Sequence, residues 1–299
     1  MSVPRVFDRS LLRRRQLRAR ALGPATFLLD RVAKDAADRL AAILRRFDTA
    51  IDLGTPGAAL RALADSARIG TLVAIGHSAD ALAPACGLAV VADEEALPLR
   101  EFSIDLVVSA LSLQTVNDLP GAFVQIRRAL KPDGLFLAAL LGGETLTELR
   151  QSFAAAEAEV EGGVSPRVAP FADVREIGAL LQRAGFALPV TDLDRLTVRY
   201  ASAFALMHDL RRMGAGNPLL ERRRSPLRRA TLMRMAQIYG ERFADPDGRI
   251  RSTFDIVWLS GWAPHESQQQ PLPPGSAKAR LADALGTCEI SAGEKARPK

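Results

Sequence analysis

Short apolar runs alternate with amphipathic stretches between residues 50 and 140, and this pattern predicts parallel strands joined by helices. The predicted strands are TAIDLG, TLVAIG, LAVVAD, IDLVVSA and GLFLAAL, which begin at residues 49, 71, 88, 104 and 134. Each run is almost continuously apolar, as expected for strands that helices cover on both faces. The pattern therefore indicates an α/β protein built on a parallel sheet.

The flanking regions are predicted to be mainly helical. Before residue 49, apolar positions such as Val32, Ala36 and Leu40 recur at helical spacing. Further helices are predicted at 145–160, 172–184 and 226–243, the last one beginning at Ser225-Pro226, and TVRY and STFDIVWLSGW are predicted late strands. We therefore expect an N-terminal helical segment (1–48), a main domain (49–267) with a helical insertion at about 200–245, and a poorly ordered tail (268–299).

The charge of the chain is unevenly distributed. The net charge is +6, with seven arginines between Arg5 and Arg20 and eight between Arg211 and Arg234. These runs favour either an anionic partner surface or simply solvated helix faces. Aromatic residues make up only 5% and do not interleave with the arginines, which argues against nucleic-acid binding. Glu157, Glu159 and Glu161 are likewise interpreted as a solvated helix face.

Cysteine, histidine and hydropathy patterns exclude several other classes. The two cysteines and three histidines have no metal-ligand or disulfide spacing, so no metal is predicted. No apolar run approaches the roughly 20 residues that span a bilayer, and the N-terminus lacks the features of a secretory signal. A cytoplasmic protein is the default expectation.

Candidate ligand-binding residues follow the predicted strands. In an open α/β sheet, ligands bind beyond the carboxyl ends of the strands, where the chain order reverses. The residues expected there are Asp52, Gly54, Gly57, Gly76, His77, Asp93, Glu94 and Ser109. No lysine-bearing phosphate loop is present, whereas a rim of carboxylates suits ribose hydroxyls, an exocyclic amine or a positive charge.

The order of these motifs resembles that of the class I S-adenosylmethionine (SAM) methyltransferases. The motifs are a strand followed by DLG, then ADEEALPL, IDLVVSALSL and LKPDGLFL. Together with VFDRSLLRRRQLRA, GGETLTELR, EGGVSPRVAPF, LLQRAGF and GWAPHESQ, they resemble one family in particular, the methyltransferase-like assembly factors of respiratory complex I. The resemblance runs from about Val6 to Ala277. The malonyl-carrier-protein methyltransferases share the core motifs and are a more distant resemblance.

The resemblance implies a fold and a function. The fold would be a Rossmann-like, seven-stranded mixed sheet with the last strand antiparallel, with added N-terminal helices that gate the pocket. The cofactor would be SAM, contacted by Asp52, Gly54, Gly57, His77, Asp93, Glu94 and Ser109. The partner would be a protein substrate, an arginine of a complex I subunit, which the family is proposed to hydroxylate. The location would be the cytoplasm, peripheral to the inner membrane, or the matrix side in a mitochondrion.

Three positions depart from the family pattern. Pro56 and Ala58 replace glycines of the first turn, and Gly76 replaces the acid that would accept both ribose hydroxyls. Proline removes a backbone donor, and glycine cannot make the charged contact. Two alternatives therefore stay open beside an active enzyme: a catalytically inactive scaffold for complex assembly, or an O-methyltransferase for a small or carrier-bound molecule. The sequence assigns no catalytic residue.

Overall fold

The computed structural model describes residues 5–57, 59–82, 87–269, 276 and 281–288. These residues form seven strands, nine α-helices and two short 3-10 helices. The strands are β1 (Phe47–Leu53), β2 (Ile69–Gly76), β3 (Leu88–Val91), β4 (Ile104–Ala110), β5 (Leu130–Gly142), β6 (Ala187–Tyr200) and β7 (Ile250–Trp262). The α-helices are α1 (Arg9–Ala21), α2 (Phe27–Ala41), α3 (Ala79–Leu82), α4 (Leu119–Ala129), α5 (Thr147–Glu161), α6 (Val174–Arg183), α7 (Ala203–Arg212), α8 (Arg229–Phe243) and α9 (Leu281–Leu285). The 3-10 helices are Arg61–Asp65 and Leu113–Thr115.

All seven strands join one mixed sheet in the order β3-β2-β1-β4-β5-β7-β6. Strands β1 to β5 are parallel, and β7 runs antiparallel to both β5 and β6. From β1 the chain continues to β2 and β3 on one side, and then crosses back to β4 on the other side of β1. In such sheets ligands bind beyond the carboxyl ends of the strands at this reversal of the strand order. The expected Rossmann-like seven-stranded fold is confirmed.

Local sequence explains the elements that surround this point. Every residue of β4 is buried, in agreement with its continuous apolar run. Helix α2 buries Val32, Ala36 and Leu40 along the predicted stripe. Helix α4 begins after Asp118, whose carboxylate accepts a 2.8 Å hydrogen bond from the Gly121 amide. Such caps satisfy amides that have no partner inside the helix.

Three local predictions differ from the structure. The late strand is far longer than TVRY, because β6 occupies 187–200 at the edge of the sheet. Helix α8 begins at Arg229 with Arg228 as its cap residue, so the predicted start at Ser225-Pro226 is wrong. Strand β5 begins at Leu130 and not at the predicted residue 134, and its pairing with β4 shifts register between Ile104 and Leu106.

The chain separates into two compact units, Met1–Pro264 and His265–Lys299. In the first unit, helices α5, α7 and α8 pack around an apolar cluster that includes Leu149, Phe153 and Tyr239. In the second unit, the described residues include one helix, α9. Most of the predicted tail at 268–299 lies outside the described residues. Within the described ranges, no helix has the length and hydropathy needed to cross a membrane.

Candidate functional site

Asp52 lies near the end of β1, in the middle of the sheet. It pairs in register with Ala74 of β2 and Val108 of β4, and only 7% of the residue is exposed. One carboxylate oxygen, Oδ1, is buried without a hydrogen-bond partner among the described residues. Thr55 donates to the carboxylate and in turn accepts a 3.0 Å hydrogen bond from the Ala110 amide. Asp52 is thus held in place but left with an unsatisfied oxygen.

Burial raises the pKa of Asp52 to about 7, and the hydrogen bonds from Thr55 offset only part of this effect. A buried carboxyl without a cation resists ionisation because the charged form loses its hydration. Asp52 is therefore partly protonated near neutral pH. A cation brought next to it would favour the charged form.

Gly54 brings this turn against the loop that follows β3. Its φ of +69° favours glycine, and its amide donates a 2.7 Å hydrogen bond to the Ile75 carbonyl. A Cβ at this position would collide with Ser112 Oγ and would lie 2.7 Å from Glu94 Oε1. Glycine is therefore needed both for the backbone conformation and for the close approach of Glu94.

The end of β2 carries no acid. An added Cβ at Gly76 would lie 3.1 Å from Leu82 Cδ2, the end of a flexible side chain. His77 follows, and burial lowers its pKa, while the charge of Glu94 acts in the opposite direction. Neutral imidazole at this position provides one hydrogen-bond donor and one acceptor.

The acid loop, Asp93 to Glu95, is held by two arginines of α1. Arg9 pairs with Glu94 and contacts Asp93 at 3.1 Å and Glu95 at 3.0 Å. Arg13 pairs with Asp93. Glu94 is buried, with 5% exposure, so this cation compensates a charge that water cannot reach. All three carboxylates of the loop therefore already have a cationic partner.

Their pKa values reflect these contacts. Burial acts against the charge of Arg9, but Glu94, Glu95 and Asp93 outweigh it and raise the pKa of the guanidinium. For Asp93, burial raises the pKa, yet the Glu95 amide, Arg9 and Arg13 together lower it below its ordinary value. The two arginines and the three carboxylates therefore form one network of ion pairs that joins α1 to the loop.

Helix α1 is fastened to the domain at its N-terminal end. The Val6 and Phe7 amides both donate to Asn117 Oδ1 at 2.8 Å. Asp8 caps the helix through the Leu11 amide at 2.9 Å, and its second oxygen contacts Arg222 at 3.2 Å. These contacts keep Arg9 and Arg13 directed toward the acid loop.

The strand ends open into a cavity of about 820 Å³. Its wall is formed by the turn after β1, the end of β2, and helices α1, α2, α5 and α7. A neighbouring cleft measures only about 20 Å³. Gly54 and His77 line both spaces, and Glu94 lines the cleft. The cleft has room for about one water molecule, since a water needs roughly 10–15 Å³.

The structure brings four of the predicted site residues together at the cavity wall. These are Asp52, Gly54, Gly57 and His77. Asp93 lines neither space, because it faces Arg9 and Arg13. The Ser109 hydroxyl donates to the Leu53 carbonyl at 2.7 Å and is buried in the sheet. Ala58 lies outside the described residues.

Sequence reasoning missed the arginines that reach the acid loop. Arg9 and Arg13 are four residues apart, and this spacing indicates that they share one face of α1. Their partners lie about 80 residues away, so the pairing itself required the tertiary structure. Gln114 also lines the cavity, and its Oε1 atom is buried without a partner among the described residues.

A nucleoside cofactor fits one end of this site and not the other. At the cavity end, an unpartnered carboxylate and glycine backbone offer contacts to a cationic, hydroxyl-bearing group. At the acid loop, the carboxylates are paired and the free space is about 20 Å³, far too small for a purine ring.

Comparison with known proteins defines the class. A family described as a methyltransferase domain matches residues 51–138, from the end of β1 through β2, β3 and β4 into β5. The YcgJ protein from Bacillus subtilis shares the fold with a TM-score of 0.53 at 13% identity, over 77% of this chain and 97% of that one. With the observed strand order, these findings define a protein of the class I methyltransferase fold.

Two full-length relatives define the family. A Danio rerio protein named arginine-hydroxylase NDUFAF5, mitochondrial, is 38% identical over 93% of this chain and 89% of its own length. The Homo sapiens protein of the same name is 41% identical over 91% of this chain and 81% of its own. The chain belongs to the arginine-hydroxylase NDUFAF5 family.

Proposed function

We propose that this chain binds SAM at the strand ends and acts on an arginine of a complex I subunit during assembly of the complex. The observation that carries the proposal is the buried Oδ1 atom of Asp52, which has no hydrogen-bond partner among the described residues, in the wall of the cavity. Relatives named arginine-hydroxylase match the chain over more than four fifths of their length, which supports the same class of activity.

Asp52 supplies the anion that such chemistry needs. Among the described residues that line the cavity it is the one acid, so a guanidinium or an ammonium group that enters can pair only with it. Hydrogen bonds to a charged group contribute about 1.5–3 kcal/mol. The proposed role of Asp52 is therefore to hold a cationic group, from the cofactor or from the substrate arginine, beside the sheet.

The remaining site residues divide between the two ends of the cofactor. Gly54, Gly57 and His77 would contact its methionine and ribose portions, because they share the cavity wall with Asp52. Asp93 and Glu94 would contact adenine after Arg9 and Arg13 release them. The proposed gate is thus α1, and its opening is a step of cofactor binding.

Titration of the full chain with SAM by calorimetry tests the cofactor half of the proposal. Gly76→Asp supplies the missing ribose acceptor and should tighten SAM binding at least about tenfold, with Gly76→Ala as the control for the contact with Leu82. Absence of SAM binding by both the parent and Gly76→Asp would remove the cofactor half.

Mass spectrometry of complex I subunits from cells with and without the gene tests the arginine half. Loss of a modification on one arginine supports the proposal, and its mass identifies the chemistry, one oxygen for hydroxylation or one methylene for methylation. Identical arginine masses in the two strains would contradict it.

A scaffold without catalysis is the second candidate, and the paired acid loop together with Gly76 favours it. In that case the gene would be required for complex I assembly, the arginine masses would not change, and Gly76→Asp would create an affinity for SAM that the parent lacks.

A further inference from the structure

The cavity extends well beyond the strand ends into an apolar chamber. Its wall there consists of side chains that are each less than a tenth exposed, namely Leu12, Leu28, Leu146, Leu149, Phe153 and Phe254. All of these except Leu12 belong to the apolar cluster that α5, α7 and α8 surround. Apolar cavities gain little from water and instead take up apolar ligands.

The same cavity is strongly cationic. Seven arginines line it, against the single carboxylate of Asp52 among the described lining residues: Arg15, Arg20, Arg167, Arg211, Arg212, Arg222 and Arg223. Four of these already contact carboxylates, those of Glu157, Asp209, Asp8 and Glu161. Arg15, Arg20 and Arg211 contact no carboxylate in the part of the chain that the structure describes.

Arg15 is the least exposed of the three. Its guanidinium donates to the Asn217 carbonyl, and burial together with the nearby charge of Arg222 lowers its pKa. An anion at this position would relieve the repulsion between Arg15 and Arg222 and would gain charged hydrogen bonds. Arg20 and Arg211 are exposed, so they line the cavity where it meets solvent.

We propose that the cavity binds a single-chain amphiphile with an anionic head group. The head, a carboxylate or a phosphate, pairs with Arg15 and with the arginines at the solvent side, and the hydrocarbon chain fills the apolar chamber. The apolar walls and the guanidinium groups without a carboxylate partner together favour this chemistry in the apolar chamber, whereas a cationic group has only Asp52, at the strand ends, to pair with among the described lining residues. This proposal does not depend on SAM binding or on arginine modification.

Calorimetric titration of the full chain, without SAM and below the micelle-forming concentration, tests the charge requirement. Dodecanoate and dodecyl phosphate are the two anionic probes, and the one that binds more tightly identifies the head group. Dodecyltrimethylammonium has the same chain with the opposite charge, and acetate has a head without a chain. Both controls should fail to bind. Equal affinity for the cationic probe, or no binding of either anionic probe, would overturn the proposal.

A chain-length series tests the apolar chamber. Affinity should rise about fourfold for each methylene from octanoate to dodecanoate, which corresponds to about 0.8 kcal/mol per buried methylene. An affinity independent of chain length would show that the arginines bind the head alone, and the proposed site would then be wrong.

Substitution of the arginines tests the location. The double variant Arg15→Gln, Arg211→Gln should bind dodecanoate at least about tenfold more weakly. Arg14→Gln is the matched control, because Arg14 is exposed on the same helix and does not line the cavity. Circular dichroism and urea unfolding establish that the double variant is folded. Parental affinity in a folded double variant would place the ligand elsewhere.

Discussion

Asp52, near the end of β1, and Glu94, in the loop after β3, are predicted to contact two parts of one ligand, yet their charges have opposite surroundings. Both side chains are buried, with 7% and 5% exposure. Asp52 has an unpartnered oxygen and faces a large cavity, whereas Glu94 is paired with Arg9 beside a cleft of about 20 Å³.

The difference shows which contacts are ready for a ligand and which are used by the fold. An unsatisfied buried group costs stability and is relieved by a ligand, whereas a paired one contributes to stability until it is separated from its partner. The turn after β1 is therefore open to a cation, and the acid loop first has to exchange its arginines for another partner.

The largest expected effect is a change in stability with pH at Asp52. The pKa is about 7 in the folded protein and 3.8 as an ordinary aspartate, so between these values the folded chain binds a proton that the unfolded chain has lost. Stability therefore falls as pH rises from about 4 to about 7, by as much as about 4 kcal/mol. Asp52→Asn should remove this loss and exceed the parent in unfolding free energy at pH 8.

Urea unfolding at pH 4 and pH 8 measures this effect. Asp48→Asn is the matched control, because Asp48 lies on the same strand with 77% of its side chain exposed. If Asp52→Asn gains nothing over the parent at pH 8, burial does not raise the pKa of Asp52 and its comparison with Glu94 fails.

A smaller effect is expected when Arg9 is removed from the acid loop. Arg9→Gln leaves the buried carboxylate of Glu94 without its cation, which should lower the free energy of unfolding by about 3 kcal/mol. Arg14→Gln, on an exposed position of the same helix, should leave it unchanged.

Addition of SAM makes the same variant more informative. If adenine takes the place of the Arg9 guanidinium, SAM should raise the melting temperature of Arg9→Gln by more than it raises that of the parent. The reason is that in the variant no guanidinium has to be displaced from Glu94 before SAM binds. An equal rise in both proteins would mean that α1 does not compete with the cofactor.

The sequence was sufficient to predict the central sheet and the part of the cavity wall that lies at the strand ends. A parallel strand that is buried on both faces has a continuous apolar run in its sequence, and β4 matches its predicted bounds of 104–110. The turn glycines and Asp52 follow directly from the strand ends. The edge strand β6 was recognised only at its end, because one of its faces is exposed and the run DLDRL is not continuously apolar.

Charges that pair over long distances could not be predicted in the same way. Glu157 was interpreted as part of a solvated helix face, and this is wrong, because the side chain is fully buried. It accepts hydrogen bonds from the Ser165 amide at 2.6 Å and from Arg167 at 2.7 Å. The spacing of charges along a helix indicates which residues share a face, but it does not indicate what covers that face.

The smallest expected effects distinguish two serines near the end of β4. The Ser109 hydroxyl donates to the Leu53 carbonyl, whereas Ser112 Oγ is buried without a partner among the described residues and lines the cleft beside Glu94. Ser109→Ala should therefore lower the free energy of unfolding by about 1 kcal/mol and leave the affinity for SAM unchanged. Ser112→Ala should have the opposite pattern, with no loss of stability, because the buried hydroxyl has no partner to lose, and with weaker SAM binding. Urea unfolding measures the stability of both variants, and calorimetry measures their affinity for SAM. A loss of SAM affinity in Ser109→Ala alone would contradict this assignment, because Ser109 would then contact the ligand and Ser112 would have the structural role.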